Sequence, residues 1–497
     1  MVMGELPKGW TEINIEKLFE FKYGKGLPEH SRNKSGLIKV YGSNGVVGKH
    51  NTSITAGPTI IIGRKGSVGE VNYSDEKCWP IDTTYYIDFF PVEMPIKYWA
   101  LYLKSLQLGQ HEKSSAIPGV SRKDIYKVNV PLPPFNEQRR IIAKLEKILH
   151  RVDTCNERLD KIPIILKRFR QSVLDAATTG RLTADWRCNN VNAVSPKREI
   201  ESLLNLTKKQ RPDVLKTEPT AGHEVLIEAV PEVWATPSLY ELFRFIDYRG
   251  KTPKKSSSGK RLISAKNIKM GFISNEPVEY VSDKFYRAWM TRGFPQKGDI
   301  FFITEGHTMG FAALNNRDDE FALSQRTITL QPWRPMDTRC FLFFIMSSLF
   351  QNLVRLNATG SAAIGIKAAK FRGLPIPFTS LPEQKEIVRR VEALFKKADA
   401  IEARYKKAKA FVDKLTQSIL AKAFRGELVA QDPNDEPASV LLERIRVEKQ
   451  KSQKKIVSIK DRMKKKYKPF IPSDLPMVAE EKAVYGKRQG KKKRSRP

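Results

Sequence analysis

Between Asn136 and Gly180 the apolar residues recur in alternating steps of four and three: Ile141, Leu145, Ile148, Val152, Cys155, Leu159, Ile162, Leu166, Phe169 and Val173. That spacing is the seam of a helix packed along its length against another helix. The seam returns at an offset of 246 residues as Ile387, Val391, Leu394, Ala398, Ile401, Tyr405, Ala408, Val412, Leu415 and Ile419. One such stripe reads as an ordinary core helix. Two matched stripes, each about 60 Å long at 1.5 Å per residue, exceed the core of a compact domain. They predict an antiparallel intramolecular coiled coil. Asn136 is a candidate cap for the first helix, and Ser380 to Glu383 has capping-box spacing for the second. Gly180 and Gly426 fit the stops. Pro163, whose counterpart is Lys409, predicts a kink or a break in the first helix.

The segments before the helices repeat too. Leu6-Pro7-Lys8-Gly9-Trp10 returns loosely as Val230-Pro231-Glu232-Val233-Trp234, and Glu137-Gln138 as Glu383-Gln384. From Leu37 to Phe90 the pattern is short apolar runs between glycine turns, which predicts strands at Leu37–Tyr41, Thr59–Ile62 and Thr83–Phe90. A short apolar helix follows at Tyr98–Leu106. The second copy keeps this order, with strands near Arg261 and Gly298–Ile303 and a helix at Phe341–Ser348. Its loop residues differ: Arg64-Lys65-Gly66-Ser67 stands against Thr304-Glu305-Gly306-His307. The repeat therefore carries one scaffold with two surfaces. Ser115–Gly119 also matches Ser361–Gly365. A polar linker, with an amphipathic piece at Leu203-Leu204, joins the halves. Another such piece, at Leu441, Leu442 and Ile445, precedes a basic tail.

Across 497 residues the formal net charge is +34. An excess of this size points to a polyanion, and no apolar run is long enough to span a bilayer. Cys78, Cys155, Cys188 and Cys340 are scattered, so free thiols are expected rather than disulfides or a zinc site. No catalytic constellation stands out. The Gly42–His50 stretch has the wrong spacing for a phosphate loop and ends in His. No N-P-P-Y or D-P-P-Y tetrapeptide is present, so any chemistry on a base must come from a partner.

The chain resembles the specificity subunits of type I DNA restriction–modification enzymes. The resemblance rests on Pro131-Leu132-Pro133-Pro134 with Glu137-Gln138, on Leu166–Leu174, on Gly180-Arg181-Leu182-Thr183, and on Leu415–Leu428 in the second half. It implies an α+β fold with two similar target recognition domains, of mixed α/β structure with short strands. Two long helices, conserved in the family, separate them and pair as an antiparallel coiled coil with pseudo-two-fold symmetry. The expected divisions are residues 1–135 and 230–380 for the recognition domains and 136–187 and 381–428 for the helices. Residues 188–229 form a linker with a short helix, and 429–497 a short helix with a disordered basic tail. The resemblance implies a non-catalytic subunit that reads a split, asymmetric site on double-stranded DNA. It would direct two modification subunits, which methylate adenine, and two restriction subunits, in host defence against foreign DNA. S-adenosylmethionine, ATP and Mg2+ belong to those partners and none to this chain. The expected location is the cytoplasm of a bacterium or archaeon, with no membrane role.

Polar and basic loop residues are the candidate DNA readers: Tyr41, Ser43, Asn44, Arg64 and Lys65 in the first half, and Lys266, Asn267, Thr304, His307, Gln325 and Arg326 in the second. Asn and Gln suit adenine, while Arg and Lys suit guanine. Turn formation is the competing role for Asn44 and Asn267, and plain solvation for Lys65. A two-domain DNA-binding regulator without an enzyme partner would also explain the charge and the repeat, and a coiled-coil adaptor would explain the helices. The regulator does not explain the apolar residues outside the seam, such as Ile142, Leu149, Ile165 and Leu174, which call for a further partner.

Overall fold

The computed structural model describes residues 5–111, 121–190, 202, 220–248, 252–360 and 364–466. The chain forms two compact units, Met1–Arg151 with Leu415–Pro497 and Val152–Lys414. Both boundaries fall inside long helices, because each unit closes on the end of the helix that starts in the other.

In the first unit the strands are β1 (Thr11–Asn14), β2 (Lys22–Tyr23), β3 (Ile38–Gly42), β4 (Gly45–His50), β5 (Thr59–Gly63), β6 (Val71–Ser74), β7 (Cys78–Pro80), β8 (Thr84–Ile87) and β9 (Asn129–Leu132). They form a four-stranded sheet in the order β2-β8-β5-β6, a three-stranded sheet β4-β3-β7, and the pair β1-β9. The second unit has β10 (Phe243–Asp247), β11 (Lys260–Ile263), β12 (Tyr280–Val281), β13 (Ile300–Ile303), β14 (Ala312–Leu314), β15 (Phe321–Leu323) and β16 (Thr327–Pro332). Its sheets run β10-β16-β13-β14 and β12-β11-β15. The strand orders of the two units correspond one to one. In each three-stranded sheet the central strand pairs parallel with the last and antiparallel with the other. A hairpin of β17 (Ala358–Thr359) and β18 (Gly365–Ile366) completes the second unit.

The apolar runs explain the central strands. Ile60, Ile61 and Ile62 are fully buried, as are Ile300 to Ile303, because each run is covered on both faces. The predicted short helices occur at Ile96–Ser105 and Thr338–Met346. The latter continues, after a 66° bend, into Ser348–Leu356. Phe341, Phe344, Phe350 and Phe371 fill that core. No single described helix is long and apolar enough to cross a membrane. All four cysteines are unpaired, Cys78 and Cys340 buried, Cys155 and Cys188 exposed.

The repeated sequence fragments are one set of contacts, made once in each unit. In the first, Trp10 Nε1 donates to Glu137 Oε2 at 2.9 Å. Gly426, at φ 78°, lies so close to Pro7 that a Cβ there would come within 2.6 Å of the ring. In the second, Trp234 Nε1 donates to Glu383 Oε2 at 2.9 Å. Gly180, at φ 67°, abuts Pro231, where a Cβ would meet the ring at 2.5 Å. Left-handed backbone and the absence of room both require glycine at these two stops.

The two long helices are Phe135–Thr178 and Leu381–Phe424. Within the second unit they run antiparallel. Arg170 Nη2 reaches Asp399 Oδ1 at 2.7 Å and Glu402 Oε2 at 2.8 Å. Earlier on the first helix, Asn156 Oδ1 and Asp160 Oδ1 meet Lys409 Nζ at 3.0 and 3.2 Å. Seam residues Ile141, Leu145, Val152, Ile387 and Val391 are buried, and Ile148, Leu159, Leu394 and Tyr405 are half-buried. Ile401, by contrast, is 47 % exposed, and Cys155 and Phe169 are exposed as well. A lone pair of helices covers only part of each seam side chain where no strand domain backs it.

Three local expectations change, and one, at Pro163, is narrowed. The first helix starts at Phe135, so Asn136 lies in its first turn instead of capping it. The helix runs through Pro163 without breaking. Glu383 is drawn into a buried network in place of a capping box, because four side chains donate to it. The last helix is Ala438–Lys466, longer than the short amphipathic piece expected. That stretch has no Gly or Pro and is rich in Lys, Arg, Glu and Gln, all good helix formers. The Leu203-Leu204 piece and the tail from Tyr467 lie outside the described residues, as do Ser115–Gly119 and much of its counterpart.

Candidate nucleic-acid interface

In the first unit, loops far apart in sequence meet where β3 and β5 end and β8 begins. Ser43 Oγ lies 2.5 Å from the Lys65 carbonyl and 2.7 Å from that of Thr83. The Arg64 and Lys65 amides also donate to Thr83 O, at 2.9 and 3.2 Å. These bonds hold the Ser43-Asn44 turn against the Arg64–Ser67 loop. Asn44, Lys65 and Ser67 are exposed there.

Two residues outside the sequence-based candidates complete this surface. Tyr23 is 53 % exposed and has two guanidinium groups over its ring, Arg64 at 5.4 Å and Arg122 at 5.2 Å from the centroid. Arg64 Nη2 is fixed by the Asp82 carbonyl at 2.8 Å, and Arg122 Nη1 by the Phe21 carbonyl at 3.1 Å. Each planar cation is therefore oriented by backbone and aromatic contact, with no carboxylate among those contacts. An ordered guanidinium beside an exposed ring suits base edges and stacking. The signal in the sequence was Lys22-Tyr23-Gly24-Lys25, an aromatic between two cations.

Tyr41 is not part of the exposed surface. It is 6 % exposed and packs with Ile61 and Cys78, because β3 is the central strand of its sheet. Ser43 is buried as well, and its role is to tie the turn.

The corresponding loops of the second unit also converge. The Thr304 amide donates to Arg326 O at 3.1 Å, and Gly306 N to Ile364 O at 2.9 Å. Arg326 takes the left-handed region at φ 79°, and its Nε lies 3.1 Å from Glu305 Oε1. Thr252 Oγ1 donates to Gln325 Oε1 at 3.0 Å. His307 and Arg326 are exposed and Gln325 half-buried, so the structure brings these three candidates together. Thr304 is fully buried and supports them from beneath.

Lys266 belongs to a separate cluster, 3.5 Å from Glu279, which Lys255 holds at 2.8 Å. The hydrogen bond from Lys255 keeps the Glu279 carboxyl below its usual range. Asn267 is fully buried. Its carbonyl oxygen accepts from Ser264, and its amide donates to Ser274 O and Pro277 O. Such saturation leaves it no bond for a base, so the turn-forming role is the one it plays.

The two surfaces differ in charge. The ordered arginines of the first meet carbonyls and rings, whereas the exposed arginine of the second meets a carboxylate. Among the described residues no cluster of His, Cys, Asp and Glu fit for a metal is present.

The sequence matches the family described as the type I restriction modification DNA specificity domain, over residues 7–163 and again over 231–410. It is 28 % identical over 457 residues to the type I restriction enzyme EcoDI specificity subunit of Escherichia coli, covering 90 % of this chain and 97 % of that protein. Its identity to the EcoBI specificity subunit of the same species is 31 %, over 69 % of each chain. In fold it is similar to the HsdS subunit of Thermoanaerobacter tengcongensis, with a TM-score of 0.52 at 16 % identity over 86 % of this chain and all of that one.

Proposed function

We infer, from the premise that this chain belongs to the type I restriction–modification DNA specificity family, that its two recognition domains each read one half of a split duplex site. It is the DNA specificity subunit of such a system, and the subunit itself is non-catalytic. The observation that carries the finer reading is one strand order used twice under different loop chemistry. Equal scaffolds with unequal surfaces make the site asymmetric. In this reading residues 1–135 and 230–380 are the recognition domains. Lysines and arginines neutralise phosphates and set register, and a few loop side chains reach base edges.

Two modification subunits methylate adenine with S-adenosylmethionine, and two restriction subunits use ATP and Mg2+ to cleave. The exposed apolar residues of the long helices support docking of such partners. In the second unit Ile164, Ile165, Phe169, Ile401 and Phe411 are each more than a third exposed, an unusual set on helices that also carry many charges. Changing Ile165 and Phe411 to Glu should abolish co-elution of the modification subunits while the chain keeps its helix content. Unchanged co-elution would place the partners elsewhere.

The direct test is the methylation pattern left on random DNA by the chain with its modification subunits. A bipartite, asymmetric motif is expected, with methyladenine in each half. Within it, Arg64→Ala should weaken binding by roughly 10- to 100-fold, the size of one bidentate base contact of about 1–3 kcal/mol, and relax one half-site only. Arg326→Ala should relax the other half. Loss of selectivity in both halves from either change would mean that the domains do not read independently.

A further inference from the structure

The hairpin of β3 and β4 carries two exposed apolar residues beside its tip. β3 ends at Gly42, β4 starts at Gly45, and Ser43-Asn44 form the turn between them. The register shifts after Val40. Val40 pairs with Gly48 and Tyr41 with Val46, which leaves Val47 opposite no residue of β3. A bulge of this kind re-aims the side chains beside it. A regular strand would send consecutive residues to opposite faces, yet Val46 and Val47 are 54 % and 41 % exposed. Gly42 leaves the room for Val47, since a Cβ there would meet its Cγ1 at 2.8 Å. Arg32 fixes the bulge: its Nη1 donates to Val47 O at 2.9 Å and its Nε to Leu27 O at 3.1 Å. The charge in this part of the chain is of one sign. From His30 to Gly69 the sequence holds Arg32, Lys34, Lys39, Lys49, Arg64 and Lys65, and no Asp or Glu. Lys39 and Lys49, both exposed, stand directly opposite each other on the two strands. Like charges so placed repel and cost stability, a cost that a bound polyanion would remove.

We propose that this hairpin enters the major groove of duplex DNA and that Val46 and Val47 read thymine by its C5 methyl group. The inference rests on, and deepens, the reading of the first recognition domain as the reader of one half-site. A two-stranded ribbon fits the major groove, where thymine alone among the four bases offers a methyl group to apolar side chains. Lys39 and Lys49 then meet phosphates, which explains why two like charges are set face to face. Ser43 ties the same hairpin to the loop that carries Arg64 and Lys65, so apolar and cationic readers share one surface. Pairing of β4 with a strand of another protein is the competing use of an open sheet edge. The bulge and the exposed Lys49 blunt that edge, and Arg32 already occupies the Val47 carbonyl. The surrounding cations favour the polyanion.

The test uses the full chain assembled with its modification subunits and a duplex selected from a random pool. Each thymine of both half-sites is replaced in turn by uracil, which differs only in lacking the methyl group. In the native complex at least one replacement should weaken binding about three- to fivefold, the size of one methyl group taken out of water. In a variant carrying Val46→Ala and Val47→Ala the same replacement should make no difference. Every position that loses its sensitivity in this way should lie in one half-site. Selectivity in the other half and the subunit stoichiometry should match the native complex, which shows that the variant folds. A second variant, Lys39→Gln with Lys49→Gln, should reduce the slope of log K against log salt by about two, at about 0.9 for each phosphate released. The proposal is overturned if no thymine responds to uracil, if the Ala variant keeps the response, or if the responses it loses fall in both halves. An unchanged salt slope in the Gln variant overturns it as well. If the native complex selects no sequence from the pool, the reading as a specificity subunit fails instead, and the native sample alone reveals that.

Discussion

Shortening both long helices by one heptad should shorten the preferred spacer between half-sites by about three base pairs. The expectation follows from the proposed function. Each recognition domain precedes its own long helix in the chain, and in the proposed function the paired helices are what sets the spacing the two domains read. One heptad is about 10 Å at 1.5 Å per residue. DNA advances about 3.4 Å per base pair, which converts that length to about three pairs. Removing seven residues from each helix keeps the seam in phase. The heptads to remove are Asp153–Leu159 and Ala410–Thr416. They face each other in the register set by Asp160 with Lys409, and most of their side chains are exposed or half-buried. Leu145–Arg151 and Val391–Lys397 would be in phase too, but they carry the buried Leu145 and Val391. Phe395 in the latter also packs on a recognition-domain core, so their loss would damage folding. Three base pairs also rotate the duplex by about 100°, given roughly 10.5 pairs per turn, so binding should weaken at every spacing. The measurement is selection from DNA that carries both half-sites with spacers of varied length. An unchanged optimum in a tightly binding protein would show that the helices do not set the distance.

Glu383→Gln should destabilise the second unit by about 3–5 kcal/mol, while the equivalent Glu137→Gln in the first should cost less than about 1. The two carboxylates occupy the same place in the repeat and have different neighbours. Trp234 Nε1 and Thr379 Oγ1 donate to one oxygen of Glu383. Thr183 Oγ1 and Arg187 Nη1 donate to the other, at 2.7 and 2.5 Å. The Gln amide would turn an NH2 group toward two of these donors and leave the mostly buried Arg187 without its counter-charge. Glu137 accepts from Trp10, and its Oε1 is buried without a hydrogen-bond partner. The positions matching Thr183 and Arg187 hold Val429 and Pro433, which cannot donate.

Burial raises the Glu137 carboxyl above its ordinary value. The folded chain therefore holds that proton more tightly than the unfolded chain. Its contribution to stability is greatest at low pH and falls as pH rises through the unfolded and then the folded value. Glu137→Gln should therefore gain on the native chain as pH rises above the ordinary carboxylate range, and the gain should vanish well below it. Hydrogen exchange of peptides covering Phe135–Ile142 and Leu381–Val388 reads the two units separately. Equal loss of protection in both variants would mean that the four donors do not matter.

The sequence alone determined the parts whose order is local. A helix seam repeats every three or four residues, so its length, its partner and its stops could be read from spacing. Gly180 and Gly426 end their helices as expected, and the duplicated Trp and Glu positions proved to be one contact made twice. The seam could not report how well each position is covered, because cover for Ile401 or Phe169 depends on a domain that is remote in sequence. The interface was legible only in outline, for the same reason. Arg64, Asn44, His307 and Arg326 lie on exposed loops, which glycines and polar runs announce. Tyr41 looked like a loop-end aromatic, but β7, more than thirty residues later, pairs beside β3 and encloses it. Asn267 looked like a reader of adenine until its own turn satisfied its amide. Tyr23 and Arg122, a hundred residues apart, become neighbours only when β2 joins the sheet and the Arg122–Tyr126 helix folds over it. Periodicity fixes which face of an element is apolar. Which polar side chains share a surface is decided by non-local strand pairing, and only the tertiary structure contains that.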